Sequence, residues 1–308
     1  MQQLLAKFVT VADEVGRLQR GGDAECDLFR GFCEEGHYGG RTAPTNTRQG
    51  IYAVAPSGRF LASVNTTDPT RMARMLETAL ARWAELSPTE RGLDRTARER
   101  LAGTSRFEDR YPTDGLVLAE YLRDLEPAAD TGGDDWRAAA WNEDQVWFTR
   151  AEGAALVPPA PLAVGARCDV PVRLVRRLAR LHLVDSVRGQ TPAFGRDDVE
   201  VAELTSECVA IDGERVTLRL AGRTRVRGQR GGHDRGVATE LTGRAEYDVA
   251  TGSFTAFELL AVGERWGATQ YNERPEATDP TRIGFAFVLA PADHPRVAPA
   301  FWWQYDLR

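Results

Sequence analysis

The chain has 308 residues, 42% of them hydrophobic, and a formal net charge of -6. This length and apolar content allow a substantial core and favour about two domains, which excludes a mainly disordered chain. The modest negative charge gives no general attraction to nucleic acid or to an anionic membrane, and no apolar run reaches the roughly 18 residues that a membrane span needs. We therefore predict partners that are neither nucleic acid nor membrane.

The first residues do not carry the features of an export signal. Residues 1–8 have no basic flank and no run of about 7 to 15 apolar residues, and polar residues follow soon after. The sequence as it stands therefore predicts a cytoplasmic protein, whereas a natural start further upstream would allow an extracytoplasmic one.

Four elements follow one another over the first part of the chain. Residues 8–13 alternate in the manner of a strand, and a helix is predicted over residues 23–35. Residues 51–64 predict a hairpin around a Pro-Ser-Gly turn. A helix over residues 69–86 is the best marked element, because Asp68 can cap it and an apolar face with helical spacing runs along it. The residues of that face are Met72, Met75, Leu76, Ala79, Leu80 and Trp83.

Strand, helix, hairpin and closing amphipathic helix, in that order over residues 1–86, resemble the second half of the thioredoxin-like fold family. In that family the first half supplies a strand and a helix headed by a Cys-x-x-Cys redox site, and a cis-proline precedes the hairpin. This chain contains no Cys-x-x-Cys, and Gly50 stands where the proline is expected. The resemblance therefore implies a partial thioredoxin-like α/β segment, and it transfers redox activity to no residue.

The middle of the chain predicts a boundary between two domains. Residues 89–127 predict two polar helices, and the second of them has an apolar face formed by Val117, Leu118, Tyr121, Leu122 and Leu125. Glycines and prolines then mark a linker region over residues 127–165. We predict a first domain over residues 1–126 and a second over residues 166–308.

Strands dominate the second predicted domain. A short helix over residues 171–184 precedes two hairpins, whose turns are marked by Asp212-Gly213 and by Gly252. A further strand is predicted over residues 283–289. This pattern predicts an antiparallel β domain, formed by a curved sheet or a partial barrel, and gives an α+β fold class for the whole chain.

Three residues of the first domain could form a chemical site. Cys26, Cys33 and His37 are spaced so that they would share one helical face, and they offer soft ligands for a metal or a thiol redox pair. Against a site, zinc normally takes four ligands with closer cysteine pairs, and Gly36 is expected to end the helix before His37. We predict core packing for the two cysteines and keep metal or redox chemistry as the alternative.

Standard catalytic signatures are otherwise absent. The sequence contains no phosphate-binding loop, dinucleotide fingerprint, serine-hydrolase elbow or zinc-protease motif, so we predict no cofactor. None of the four histidines, His182 among them, has an obvious partner nearby in the sequence. The arginines within residues 173–180 predict a solvated basic helix face, and the aromatic residues 301–305 predict closure of the core.

These observations favour a non-catalytic thioredoxin-like protein with a β domain that acts in binding or assembly. One alternative is a thiol oxidoreductase whose redox motif lies upstream of Met1 or is replaced by Cys26 and Cys33. Another is a carrier that holds a small ligand in the β domain. Because a strand beginning at Phe8 would need a covered edge, homodimerisation or packing between the domains at that strand is also predicted.

Overall fold

The computed structural model describes residues 1–13, 15–36, 48–103, 106–126, 135–230, 233–274 and 280–305. The chain divides into two units, Met1–Arg106 and Phe107–Arg308. This division lies before the predicted linker at residues 127–165. The difference arises because residues 116–124 and 141–148 form strands that pair into the sheet of the second unit.

The described part of the first unit combines short helices with one β-hairpin. Its elements are α1 Gln2–Leu5, α2 Val15–Arg20, α3 Ala24–Glu35, β1 Ile51–Val54, β2 Phe60–Val64, α4 Pro69–Glu85, α5 Pro88–Arg91 and α6 Arg95–Ala102. Strands β1 and β2 pair antiparallel as a sheet of two strands. The helix predicted over residues 23–35, the hairpin over 51–64 and the helix over 69–86 are confirmed.

The strand predicted over residues 8–13 is wrong. These residues form no strand, and the side chains of Val9 and Val11 are 94% and 76% exposed. Alternation alone does not make a strand, which also needs a partner for its backbone groups. The edge at Phe8 that motivated the predicted homodimer or domain packing is therefore not present, and Phe8 instead packs against the hairpin and α4 core.

Capping residues and a small core explain the elements of the first unit. The Asp23 carboxylate caps α3 by accepting from the backbone N–H of Cys26 at 2.8 Å, and the Asp68 carboxylate caps α4. Gly58 has φ of +84° in the hairpin turn, a conformation that favours glycine. The hairpin packs on α4 through a core of Ala53, Leu61, Ala62, Met75, Leu76 and Ala79.

The second unit contains a large antiparallel sheet. Its strands are β3 Leu116–Asp124, β4 Trp141–Phe148, β5 Arg167–Asp169, β6 Val199–Asp212, β7 Arg215–Arg230, β8 His233–Asp248, β9 Ser253–Trp266 and β10 Thr281–Leu289. The eight strands lie in the order β4-β3-β10-β9-β8-β7-β6-β5. The sheet is not closed, since β4 and β5 stand at its two edges. The predicted hairpins and the strand over residues 283–289 are confirmed.

The helix predicted near residues 117–125 is wrong, because this segment is strand β3. Both faces of the strand are covered over residues 116–120, so Val117 and Ala119 are buried as well as Leu116, Leu118 and Leu122. A short apolar run that is buried on both faces loses the alternation that identifies a strand, and it can be mistaken for one face of a helix.

Two α-helices accompany the sheet in the described part of the second unit, α7 Arg150–Ala154 and α8 Val172–Leu181, and the second confirms the helix predicted over residues 171–184. Helix α8 packs against β6 and β7. Its apolar residues Leu174, Val175, Leu178 and Ala179 join the side chains of the sheet in one buried core. None of the helices in the described ranges has both the length and the apolar character of a membrane span.

Candidate functional site

The structure does not join the cysteines of the first unit into a site. Cys26 and Cys33 lie seven residues apart on α3, and a rise of about 1.5 Å per residue separates their backbones by roughly 10 Å. A disulfide needs Cα atoms within about 7 Å, and one zinc ion holds its sulfur ligands at about 2.3 Å. Burial raises the pKa of both thiols. His37 lies outside the described residues, and both cysteines are buried as free thiols.

A different group of ionisable residues meets inside the second unit. The antiparallel register of β3 and β4 places Glu120 directly opposite Asp144. Side chains in such a pair project from the same face, with Cβ atoms about 4.5 to 5.5 Å apart, and like charges in this position repel. Glu120 is 1% exposed, so its carboxylate faces the interior.

His182 completes this group from the end of α8. It follows Leu181 as the C-terminal cap of the helix, and its backbone N–H donates to the carbonyl oxygen of Leu178 at 3.0 Å. The ring is 2% exposed. Its Nδ1 lies 2.8 Å from Oε2 of Glu120 and 3.6 Å from Oδ2 of Asp144. The last turn of α8 thus positions one imidazole against both carboxylates.

A segment near the end of the described chain covers this group. We call residues 300–305 the C-terminal strap. The hydroxyl of Tyr305 is hydrogen-bonded to Nε2 of His182, and the backbone N–H of Ala300 donates to Oδ1 of Asp144 at 3.0 Å. The strap also includes Trp302, which packs on the ring of Trp147 with centroids 5.1 Å apart. Trp302 and Tyr305 are buried in the core as predicted, whereas Trp303 is 55% exposed, and Tyr305 contacts the ionisable group.

Burial disfavours the simultaneous ionisation of the Glu120 and Asp144 carboxylates. Burial raises the pKa of Glu120 well above its usual range. Burial also raises the pKa of Asp144 to about 6, with His182 opposing the rise and Glu120 adding to it. The pKa of His182 falls to about 4, chiefly by burial, so the ring is neutral near pH 7. The site therefore favours either a proton or a metal cation between its carboxylates.

The three side chains have the donor set of a metal site. One ligand atom from each of Glu120, Asp144 and His182 lies within 4.8 Å of the others. Imidazole nitrogen together with carboxylate oxygen is a set that zinc accepts. A histidine that binds a metal generally uses its second ring nitrogen in a hydrogen bond that fixes the ring, and Tyr305 occupies that position.

A second buried cluster lies farther along β3 and is built differently. Asp124 accepts two hydrogen bonds from Arg274, at 2.7 and 2.8 Å, and one from Arg188 at 3.1 Å. Asp185 contacts Arg274 at 2.8 Å and Arg265 at 2.9 Å. Here arginines neutralise the carboxylates directly, so this cluster is explained by structure alone.

The basic face predicted on α8 is only partly solvated. Arg173 is exposed, but Arg177 and Arg180 are buried at 7% and 9% exposure. The guanidinium of Arg177 donates to both carboxylate oxygens of Glu152 at 3.0 Å, and to the carbonyl oxygen of Trp147. A basic side chain can be buried where a carboxylate meets its fixed donors, which the helical pattern alone does not show.

The sequence reasoning missed Glu120 and Asp144. Glu120 stands inside the apolar run Leu-Val-Leu-Ala-Glu-Tyr-Leu, and an acidic residue within a buried strand is a signal in itself. That signal was hidden because the segment was predicted as a polar helix. His182 was noted without a partner, since both of its partners are more than 30 residues away in sequence.

Comparisons of the chain with protein-family models, with curated proteins and with solved structures found no match.

Proposed function

We propose that the chain is a non-catalytic binding protein. In this proposal a thioredoxin-like first unit without thiol chemistry accompanies a second unit that binds a cation between Glu120, Asp144 and His182. One observation carries the cation site. The buried carboxylate of Glu120 faces the partly buried carboxylate of Asp144 beside a neutral imidazole, and in the described part of the chain no arginine or lysine pairs with either of them.

The cost of burying charge supports a cation. A buried carboxylate is normally paired, hydrogen-bonded or bound to a metal. The guanidinium of Arg177 belongs to the same region, but its hydrogen bonds go to Glu152 and to a backbone carbonyl. A divalent ion would neutralise Glu120 and Asp144 together and would leave His182 neutral, as a metal ligand must be.

The arrangement of the thiols supports a non-redox role. A reactive thiol has a lowered pKa and an accessible sulfur. Cys26 and Cys33 have raised pKa values and are buried, and their separation on one helix prevents a direct disulfide. The thioredoxin-like part of the proposal draws on the succession of α3, the hairpin and α4.

Metal binding is the direct test of this function. Purified protein is dialysed against a chelator and then against buffer, and Zn²⁺, Co²⁺, Mn²⁺, Mg²⁺ and Ca²⁺ are titrated by calorimetry and checked by elemental analysis. We expect about one tightly bound ion per chain with at least one of these metals. Glu120→Gln should abolish this binding, because it removes a charged ligand while keeping the shape of the side chain.

Two control variants locate the ion. Glu203→Gln makes the same chemical change at an exposed residue that pairs with Arg223, and it should leave binding intact. Cys33→Ser should also retain the ion, since the cysteines are not ligands in this proposal. Loss of the ion in Cys33→Ser, or stoichiometric binding that persists in Glu120→Gln, would contradict the proposed site. Absence of tight binding by all five metals would contradict the function.

A further inference from the structure

The C-terminal strap contacts the proposed site at two of its three ligand residues. It reaches Asp144 through the N–H of Ala300 and His182 through the hydroxyl of Tyr305. The first contact is made to the carboxylate that would bind the ion, and the second to the ring nitrogen of His182 opposite the one that would bind it. The position of the strap and the geometry of the ligands are therefore not independent.

Further contacts hold the strap beside α8. The side-chain oxygen of Gln304 accepts from Arg180 at 3.1 Å, and Arg180 lies on the helix that positions His182. Trp302 and Tyr305 are each 8% exposed, with ring centroids 5.4 Å apart. Its aromatic rings and these side-chain contacts hold the strap docked beside α8.

The docked strap covers the exposed side of the site. The Asp144 side chain is 18% exposed, whereas those of Glu120 and His182 are each 1% exposed. An ion that approaches from solvent therefore meets Asp144 first. The N–H of Ala300 donates to that same carboxylate, so the docked strap narrows the approach to the site without closing it.

The donor set selects the class of ion. Ca²⁺ takes six to eight oxygen ligands, and Mg²⁺ requires an octahedron of oxygens and keeps several waters. Three ligands that include an imidazole nitrogen suit Zn²⁺ or Co²⁺, which are stable with four ligands. A water molecule can supply the fourth ligand from the side of Asp144.

We infer that Zn²⁺, or another ion that prefers mixed nitrogen and oxygen ligands, binds to Glu120, Asp144 and His182, and that its binding is coupled to docking of the C-terminal strap. This inference rests on the proposed function and adds to it the class of ion and the regulation of the site. Tyr305 acts as a positioning residue, because it holds Nε2 of His182 and thereby directs Nδ1 toward the carboxylates. Since coupling is reciprocal, the ion favours the docked strap to the same degree that the strap favours the ion.

Proteolysis in the strap measures this coupling on the full chain. Phe301, Trp302, Trp303 and Tyr305 are chymotrypsin sites, and cleavage at them is followed by the mass of the shortened chain. We expect saturating Zn²⁺ to slow cleavage in the strap by about 5- to 150-fold relative to chelator-treated protein. Cleavage at sites in the first unit serves as the internal control and should keep its rate.

Two variants test the residues that carry the coupling. Tyr305→Phe keeps the ring and removes the hydroxyl, so it should weaken Zn²⁺ binding about 10- to 100-fold, as does the loss of other hydrogen bonds to metal-bound histidines. Tyr121→Phe makes the same change at a more exposed residue of β3 and should leave affinity unchanged. Gln304→Ala removes a strap contact without touching a ligand residue, and it should weaken both Zn²⁺ binding and protection.

The outcomes separate this inference from the proposed function. If Zn²⁺ binds stoichiometrically and is lost in Glu120→Gln, while cleavage of the strap and the affinity of Tyr305→Phe are unchanged, the coupling is refuted and the cation site stands. If Ca²⁺ or Mg²⁺ binds more tightly than Zn²⁺ and Co²⁺, the assigned class of ion is wrong. If no divalent ion binds tightly, both the inference and the proposed function fail.

Discussion

Strand β3 carries two acidic side chains of low exposure whose surroundings differ. Asp124 is held by Arg274 and Arg188, each within 3.1 Å, and thus has its neutralising charges built into the chain. Glu120, four residues earlier, faces Asp144 and a histidine that is neutral near pH 7. Both acids stand on the same face of one strand, because residues two apart share a face.

This difference distinguishes a structural cluster from a candidate binding site. A buried acid that meets arginines has its charge balanced at every moment, and it needs no ligand to explain it. Where a buried acid faces another acid, the chain itself does not neutralise their negative charge, so a proton or a metal ion must do so.

The largest effect should come from breaking the balanced cluster. Arg274→Ala removes the side chain that contacts both Asp124 and Asp185, and it should lower the free energy of unfolding by about 3 to 5 kcal/mol because each of these carboxylates loses one of its two arginine partners. Urea denaturation measures this loss. Arg223→Ala breaks an exposed ion pair with Glu203 and should leave the unfolding midpoint nearly unchanged. Equal losses in the two variants would show that the buried cluster is not specially stabilising.

The next effect is a pH dependence at the unbalanced site of the metal-free protein. The pKa of Asp144 is about 6 in the folded chain, against about 3.9 when unfolded, so its protonated form favours folding and that benefit is lost as the pH rises toward 6. Relative to Asp144→Asn, the wild type should lose up to about 3 kcal/mol of unfolding free energy between pH 4 and pH 7.

Comparing the two proteins reports the ionisation of Asp144 together with its electrostatic coupling to His182. The lowered pKa of His182 acts in the opposite direction, since its contribution is lost as the pH falls from about 6.5 toward 4, and both proteins retain this residue. Urea unfolding is therefore measured at several pH values for both, with a chelator present. If the difference in unfolding free energy between the two proteins stays constant from pH 4 to pH 7, the pKa of Asp144 is not raised in the folded chain.

Zinc should stabilise only the cluster of Glu120, Asp144 and His182. Free Zn²⁺ at about 100 times its dissociation constant should raise the unfolding free energy by about 2.7 kcal/mol, because it binds the folded chain alone. Glu120→Gln should lose this gain, whereas Arg274→Ala, if it remains folded, should retain it. A thermal-shift titration of the three proteins gives the answer, and an equal shift in all of them would place the bound zinc elsewhere.

The smallest effect concerns the strap in metal-free protein. Tyr305→Phe removes one hydroxyl bonded to His182 and keeps the ring beside Trp302, so it should lower the unfolding free energy by about 1 kcal/mol. Tyr121→Phe should cause no measurable loss. Urea denaturation in the presence of chelator compares the two variants. Indistinguishable curves would mean that the hydrogen bond of Tyr305 to His182 adds no net stability over its hydrogen bonds to water in the unfolded chain.

Local patterns were sufficient to predict much of the fold. Asp68 with Pro69 marks the start of α4, and Asp212-Gly213 marks the turn between β6 and β7, because caps and tight turns depend on neighbouring residues. The strand predicted over residues 8–13 failed for the opposite reason. Its alternation is local, but its existence would depend on a distant partner that the described structure does not provide.

The candidate site could not be assembled from the sequence. Its geometry depends on the register between β3 and β4 and on the place where α8 ends, and both are set by contacts between residues that are far apart in the chain. Glu120 could have been suspected from its apolar neighbours, but Asp144 lies in a polar stretch and gives no such signal. The thioredoxin-like resemblance remains a prediction, with the helix, hairpin and closing helix as its remaining support.

The register of β3 and β4 also bears on how such a site can change over evolution. The facing positions of Glu120 and Asp144 are fixed by the backbone ladder between the strands, so the segment that connects β3 to β4 can lengthen or shorten without moving them. A slip of the pairing by one residue, in contrast, would turn one carboxylate to the opposite face of the sheet. We therefore expect insertions between these strands to be tolerated, whereas a deletion that shifts the pairing of Glu120 with Asp144 should disrupt the site.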